Sequence, residues 1–268
     1  MKRFMKQNKF FLISIIILFL LFIKVVRTCI AEGTISSDPL IMYYHMFQDL
    51  ELCYLQLLGP LFVMIPSIYI MHNDLYTGMI NNILMRIDYK QYLKETYLKV
   101  FKISFLLPVF VIISLLFCCF MTNSLDFGSG KELYEWISSP DIKYIDILPI
   151  FMLTYLVVLW LHSILYINIG LIVCRKKYNF LVTVILSYIY YIILAIILES
   201  VVGNLILARI LGVHNISDTL NIFNIWLYDN VTSLGLVVIY TLILILISFI
   251  VLYKGYKDKE GVIIDVEK

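Results

Sequence analysis

Charge is scarce in this chain: Asp, Glu, Lys and Arg make up 15% of its 268 residues, against about 25% in typical soluble domains. So few charges cannot cover a water-facing surface of usual composition, which excludes an ordinary soluble domain. Histidine is sparse too. His45, His72, His162 and His214 stand singly, so no His-Glu-x-x-His zinc site can be assembled from neighbouring positions. The five cysteines lack metal-ligand spacing. Cys118, Cys119 and Cys174 fall in or at the end of apolar runs, while Cys29 and Cys53 flank one polar segment and leave a bridge between them open. A Gly-x-Ser-x-Gly elbow is missing, as is any paired acidic motif within an apolar run. Asp49 and Glu51 lie in a polar segment and read as solvated. A phosphate-cradling loop needs Gly-x-x-x-x-Gly-Lys-Ser/Thr. The nearest string, Gly128-Ser129-Gly130-Lys131-Glu132, lacks the first glycine and has Glu where a magnesium-binding hydroxyl belongs. It reads as a turn. The chain is therefore expected to have no catalytic or metal centre and to bind no cofactor itself.

Apolar sequence, by contrast, is abundant: 62% of residues are hydrophobic and the mean hydropathy is +0.92. Crossing a hydrocarbon layer of about 30 Å takes about 20 apolar residues. Six windows qualify, at about 10–30, 52–71, 100–121, 147–174, 180–202 and 231–253. Backbone groups inside a bilayer must be satisfied within the segment, so these windows predict helices. The expected fold is all-α, a single polytopic transmembrane domain over 1–268 with six transmembrane helices and short loops.

Basic residues give the orientation. With the N-terminus inside, sixteen of the 21 fall on cytoplasmic segments: Lys2, Arg3, Lys6 and Lys9; Arg86, Lys90, Lys94, Lys99 and Lys102; Arg175, Lys176 and Lys177; Lys254, Lys257, Lys259 and Lys268. Lys24, Arg27, Lys131, Lys143 and Arg209 remain outside, along with most of the acidic residues. Both termini are thus expected to be cytoplasmic. The first window has the basic head of a signal peptide, but Lys24-Val25-Val26-Arg27 follows where a small-residue cleavage site would be needed. It reads as a retained helix, with Lys24 and Arg27 reaching the interface along their apolar stems.

Pro60, Pro66 and Pro108 fall inside predicted spans, where kinks are expected. Three outer segments stand out, 31–51, 122–146 and 203–230. The last begins with an apolar run from Asn204 and then alternates polar and apolar residues. That pattern predicts two short interfacial or re-entrant helices, with Trp226 and Tyr228 at headgroup depth. Polar residues inside spans are pathway candidates because burying them is costly. His162 and Asn168 in the fourth window, Glu199 near the outer end of the fifth and Asn204 beyond it form this group. For His162 the competing reading is a neutral imidazole bonded to a neighbouring helix. For Glu199 it is a headgroup-level position or a pair with Arg209.

Residues 72–99 form the longest polar, net-basic interruption of the apolar sequence. They contain Asp74-x-x-x-Gly78, the run Met79-Ile80-Asn81-Asn82-Ile83-Leu84, and then Arg86, Tyr89, Tyr92 and Lys94. Asn73 and Asp74 suit a helix N-cap, and Gly78 permits a tight turn. A short helix parallel to the membrane is expected over 74–94, apolar towards the bundle and polar towards the cytosol. This pattern resembles the coupling segment of six-helix ABC-2-type transporter permeases, the membrane subunits of ATP-driven bacterial exporters. The local motif covers fewer than 30 residues. It departs from the family in having Asp74 where Glu is commoner, and Met85-Arg86-Ile87-Asp88 where Ser or Pro often marks the bend.

The resemblance implies a permease that moves a peptide, antibiotic or lipid-like substrate out of the cell, including self-protection against a membrane-active peptide. It implies cytosolic ATPase subunits that hold ATP and magnesium, and a second permease copy or paralogue. ATPase coupling would then fall to Asp74, Gly78, Asn82, Arg86, Tyr89 and Lys94. Few residues precede the first span, leaving little room for the amphipathic entry helix of polysaccharide-exporting relatives. Heavy use of Ile, Lys, Asn and Tyr suggests an AT-rich genome and a bacterial plasma membrane. Two other readings stand beside this one: a secondary transporter that needs no ATPase, which should show inverted repeats, and a membrane accessory or sensor protein.

Overall fold

The computed structural model describes residues 9–32, 39, 42, 50–76, 79–122, 148–176, 178–210 and 234–257. Among these the chain is helical and contains no strand. The α-helices are α1 (Lys9–Glu32), α2 (Leu50–Tyr76), α3 (Met79–Leu84), α4 (Tyr89–Phe101), α5 (Leu106–Thr122), α6 (Leu148–Cys174), α7 (Phe180–Ile196) and α8 (Leu234–Lys257). Among the described residues, four helical stretches are long and apolar enough to cross a membrane: Tyr89–Thr122, Tyr155–Cys174, Phe180–Gly203 and Val237–Lys257. The described residues are all-helical, and their long apolar helices mark a membrane-embedded protein.

α6 is the axis of the bundle. Every residue at positions 161–171 is buried, and α2, α5, α7 and α8 all pack on this helix. Close approach of α2 depends on Gly170: a β-carbon there would lie 2.9 Å from Ile68 Cγ1. The outer helices show the reverse pattern. Ile16, Phe19 and Leu20 of α1, Leu181 and Ile185 of α7, and Leu242 and Leu246 of α8 face outward, as an apolar solvent around the bundle requires.

Contacts fix the relative directions of the helices. Phe10 at the start of α1 meets Tyr69 near the end of α2 and Phe180 at the start of α7, with ring centroids 4.6 and 5.1 Å apart. Tyr256 near the end of α8 donates to the Leu171 carbonyl near the end of α6 at 2.8 Å. Tyr89 at the start of α4 donates to the Tyr256 carbonyl at 2.9 Å. These six ends therefore gather at one pole of the bundle and bring Lys9, Arg86, Lys90, Lys94, Arg175, Lys176, Lys254 and Lys257 with them. Well along the bundle from that pole, Phe22 packs edge-on against Phe110 and Phe117.

Two expectations from the sequence need revising. The helix expected to begin at position 100 starts at Tyr89, and α4 runs through a 3₁₀ turn (Lys102–Phe105) into α5 as one 34-residue helix. Its early start follows from an amphipathic stripe, since Tyr92, Thr96 and Val100 are buried. Pro108 accounts for the tight turn. It has no N–H to offer the carbonyl four residues back, at Ser104, and its ring crowds that carbonyl. The Ser104 hydroxyl donates to the Phe101 carbonyl at 2.7 Å and accepts from Trp160 Nε1 at 2.8 Å, pinning the turn to α6.

α7 is the second case. It is N-capped by Asn179, whose Oδ1 accepts from the Val182 N–H at 2.8 Å, and it continues directly into a π-helix, Ile197–Ile210. The apolar run after position 203 thus prolongs α7 as far as Ile210 instead of opening a separate interfacial helix. The remainder of that segment, with Trp226 and Tyr228, lies outside the described residues, as do most of 31–51 and all of 123–146.

Candidate functional site

At the basic pole, the polar segment 72–99 is built from three pieces. α2 does not stop at the end of its apolar run. Ile68, Met71, His72 and Leu75 are buried at helical spacing, and this stripe carries the helix on to Tyr76. Asp74 therefore lies in the last turns of α2 and is not a helix N-cap. Gly78 lies outside the described residues. α3 then covers Met79–Leu84 and is anchored by Ile80, which is fully buried. Its outer side, Met79, Asn81 and Asn82, is exposed and leads to a turn whose tip, Met85, is 81% exposed beside exposed Arg86. The turn closes with Arg86 and Ile87 N–H groups donating to the Ile83 carbonyl, at 2.9 and 3.1 Å. α4 follows from Tyr89. The expected single helix over 74–94 is thus a helix end, a short helix and the start of a membrane helix.

Three tyrosines of α4 tie this unit to the bundle. Tyr89 bonds the Tyr256 carbonyl of α8. Tyr92, 2% exposed, donates to Asp74 Oδ2 at 3.2 Å. Tyr97 donates to Asn168 Oδ1 of α6 at 3.1 Å, and Asn168 Nδ2 passes the connection to Ser248 Oγ of α8 at 2.8 Å. One helix is consequently hydrogen-bonded to α2, α6 and α8. Burial pushes the Asp74 carboxyl above its usual range, and the opposing influences of the Tyr92 hydroxyl and the Lys99 charge do not cancel it. On the other side of α2, His72 Nε2 lies 2.8 Å from the Tyr178 carbonyl and its ring stands edge-on to Phe180. That contact joins α2 to the turn before α7.

No protein-family model matches the chain, and no curated protein or solved structure shows significant similarity to it.

Of the six coupling candidates, the structure brings Asp74 and Tyr89 into the bonded unit. Asn82 and Arg86 sit on its outer surface, and Lys94 is exposed on α4. The pathway candidates are dispersed. His162 is 1% exposed between α6 and α8. Its Nδ1 lies 2.9 Å from the Val158 carbonyl one turn back, and its Nε2 lies 3.5 Å from Thr241 Oγ1, whose hydroxyl donates to the Val237 carbonyl at 2.7 Å. The imidazole is thus enclosed where α6 meets α8. Asn168 is the three-helix link described above. Glu199 is half-buried in the first turn of the π-helix. Arg209 lies in the last turn of that same helix, more than two turns away, so the two are not opposed. The side chain of Asn204 lies outside the described residues.

Tyr97, Ser248, Tyr256 and Tyr178 were not legible as site residues. The recurrence of Tyr at 89, 92 and 97 on one helix offers a signal for the α4 side. The acceptors at Tyr256 on α8 and at Tyr178 in the turn before α7 are backbone carbonyls, which no sequence pattern marks.

Proposed function

We infer that this protein is the permease subunit of an ATP-driven exporter of the ABC-2 type. In this reading it has six spans and lies in a bacterial plasma membrane, with the basic pole and both termini in the cytosol. The observation that carries the reading is the bonded unit at the basic pole. An exposed face, Met79, Asn82, Met85 and Arg86, is joined through one turn to α4, whose tyrosines bond α2, α6 and α8. A soluble ATPase that docks on this face and closes would push on the α3–α4 turn, and the hydrogen bonds would carry that displacement into three helices. A largely apolar side chain at the highly exposed Met85 suits a docking contact because its flexible thioether adapts to a groove. ATP and magnesium would be held by the partner chain. Transport would need a second permease copy or paralogue, and the cargo would be a peptide, antibiotic or lipid-like molecule.

Tagged protein purified from its native host in mild detergent, with mass spectrometry of what accompanies it, tests the reading. An ABC-type ATPase retained by wild type and lost from a Met85→Glu/Arg86→Glu variant is the expected result. Recovery of the intact chain alone, under conditions that preserve a known permease–ATPase complex, would favour a secondary transporter or accessory protein.

A further inference from the structure

A cavity of about 380 Å³ lies between α4 and α8, lined by Leu93, Tyr97, Phe249 and Leu252, with Met71 and Leu171 at its back. This is within the range of small-molecule sites, roughly 300–1,000 Å³. The two helices run antiparallel here and are braced at both ends of the groove. At one end Tyr89 donates to the Tyr256 carbonyl at 2.9 Å; at the other the Tyr97 and Phe249 rings lie 5.4 Å apart. Polarity is graded along it. Lys90, Lys94 and Lys257 line the cavity towards the Tyr89–Tyr256 end and are exposed, while the Tyr97–Phe249 end is apolar. Among the described residues no carboxylate lines the cavity; Glu95, the acidic residue on α4, is engaged by Gln91 Nε2 at 2.9 Å. The groove opens laterally where Tyr253, 69% exposed, and Phe249, 38% exposed, face outward.

The geometry points to a binding site for one anionic phospholipid of the leaflet at the basic pole, with its acyl chain along Leu93, Phe249 and Leu252 and its phosphate among the three ammonium groups. Only an amphiphile matches both halves. A soluble anion would leave the apolar floor uncovered, and a neutral lipid would leave the three cations that line the cavity without a counter-charge. Lysine stems lie along apolar surface while the charges stay at the headgroup level. The site is independent of the transport reading, since it requires only a bilayer around the bundle.

Native mass spectrometry of the full chain in detergent, supplied with phosphatidylglycerol or phosphatidylcholine of identical acyl chains, tests this assignment. Wild type should retain phosphatidylglycerol preferentially. Each lysine removed in a Lys90→Gln, Lys94→Gln, Lys257→Gln series should weaken that retention about fivefold. A Lys9→Gln/Lys176→Gln variant, altered at the same pole away from the groove, should behave as wild type. Leu93→Trp, which fills the groove, should reduce retention with all three lysines in place. Equal retention of both lipids would overturn the proposal, as would equal losses in the groove and control variants. Displacement of the lipid by an equal concentration of glycerol phosphate would replace it with a simple phosphate site.

Discussion

Replacing Gly170 by alanine should strain the α2–α6 contact, and the size of that strain can be worked from the packing. The new methyl carbon would sit 2.9 Å from Ile68 Cγ1 and 3.2 Å from Cδ1, well inside the roughly 3.5–4.0 Å at which carbon atoms attract. Ile68 is fully buried, so it has no free space into which to swing. Overpacking of this kind costs about 1–3 kcal/mol. A gain of up to about 1 kcal/mol from replacing a mid-helix glycine opposes it, leaving a net loss of about 0–3 kcal/mol. A second substitution isolates the strain. Ile68→Ala removes both offending atoms and alone should cost about 2–5 kcal/mol. In that background the alanine at 170 meets an emptied space, and its effect should become neutral or favourable. Unfolding by SDS in mixed micelles, applied to wild type, both single variants and the double variant, should give a coupling of about 1–3 kcal/mol with the double variant more stable than additivity predicts. Additive losses, or a Gly170→Ala variant equally tolerated in both backgrounds, would refute the close approach of α2 to α6.

Asp74 should impose a pH dependence on stability. Its folded carboxyl holds its proton more tightly than the ordinary carboxylate value of 3.8, so its contribution is complete below that value and declines as pH rises towards the folded pKa. Asp74→Asn should flatten that decline in unfolding midpoints measured between about pH 4 and 7; an unchanged slope would count against the burial of this carboxyl. Tyr97→Phe and Asn168→Leu should show a coupling of about 0.6 kcal/mol, and no more than about 1.7, the range of interhelical hydrogen bonds in membranes. A zero coupling in the double-mutant cycle would remove the α4–α6 link. Glu199→Gln should alter transport without lowering expression if the half-buried carboxyl of the π-helix lines the pathway, and unchanged transport would exclude that role.

Hydropathy exposed the apolar helices because a bilayer demands about 20 apolar residues per crossing, a signal that needs no tertiary context. The point where the third long helix begins was hidden by the same rule. Tyr89, Lys90, Lys94 and Lys99 read as loop by hydropathy, yet Tyr92, Thr96 and Val100 bury one face against the bundle, and packing extended the helix past the apolar boundary. Asp74 misled in the same way. An acidic residue next to Asn73 suits an N-cap, but Leu75 is buried one residue later and holds the chain in α2. The segment 72–99 was recognisable as the distinctive polar element, whereas its attachment was not. Tyr89 and its acceptor at Tyr256 are 167 positions apart, and a hydroxyl bonded to a backbone carbonyl leaves no trace in composition. His162 and Asn168 drew attention as costly polar residues; their hydrogen bonds to Val158, Tyr97 and Ser248 show how that cost is offset within the bundle.

Photo-crosslinking in native membranes, from a light-activated amino acid at the exposed position 82 of α3, is the most direct test of the coupling role of the α3–α4 unit. Mass spectrometry of the product should identify a cytosolic ABC-type ATPase, and a control probe at position 153, exposed on the apolar side of α6, should not capture it. Capture of no soluble protein from position 82, in membranes where the chain is intact and a known permease crosslinks to its ATPase, would contradict the account.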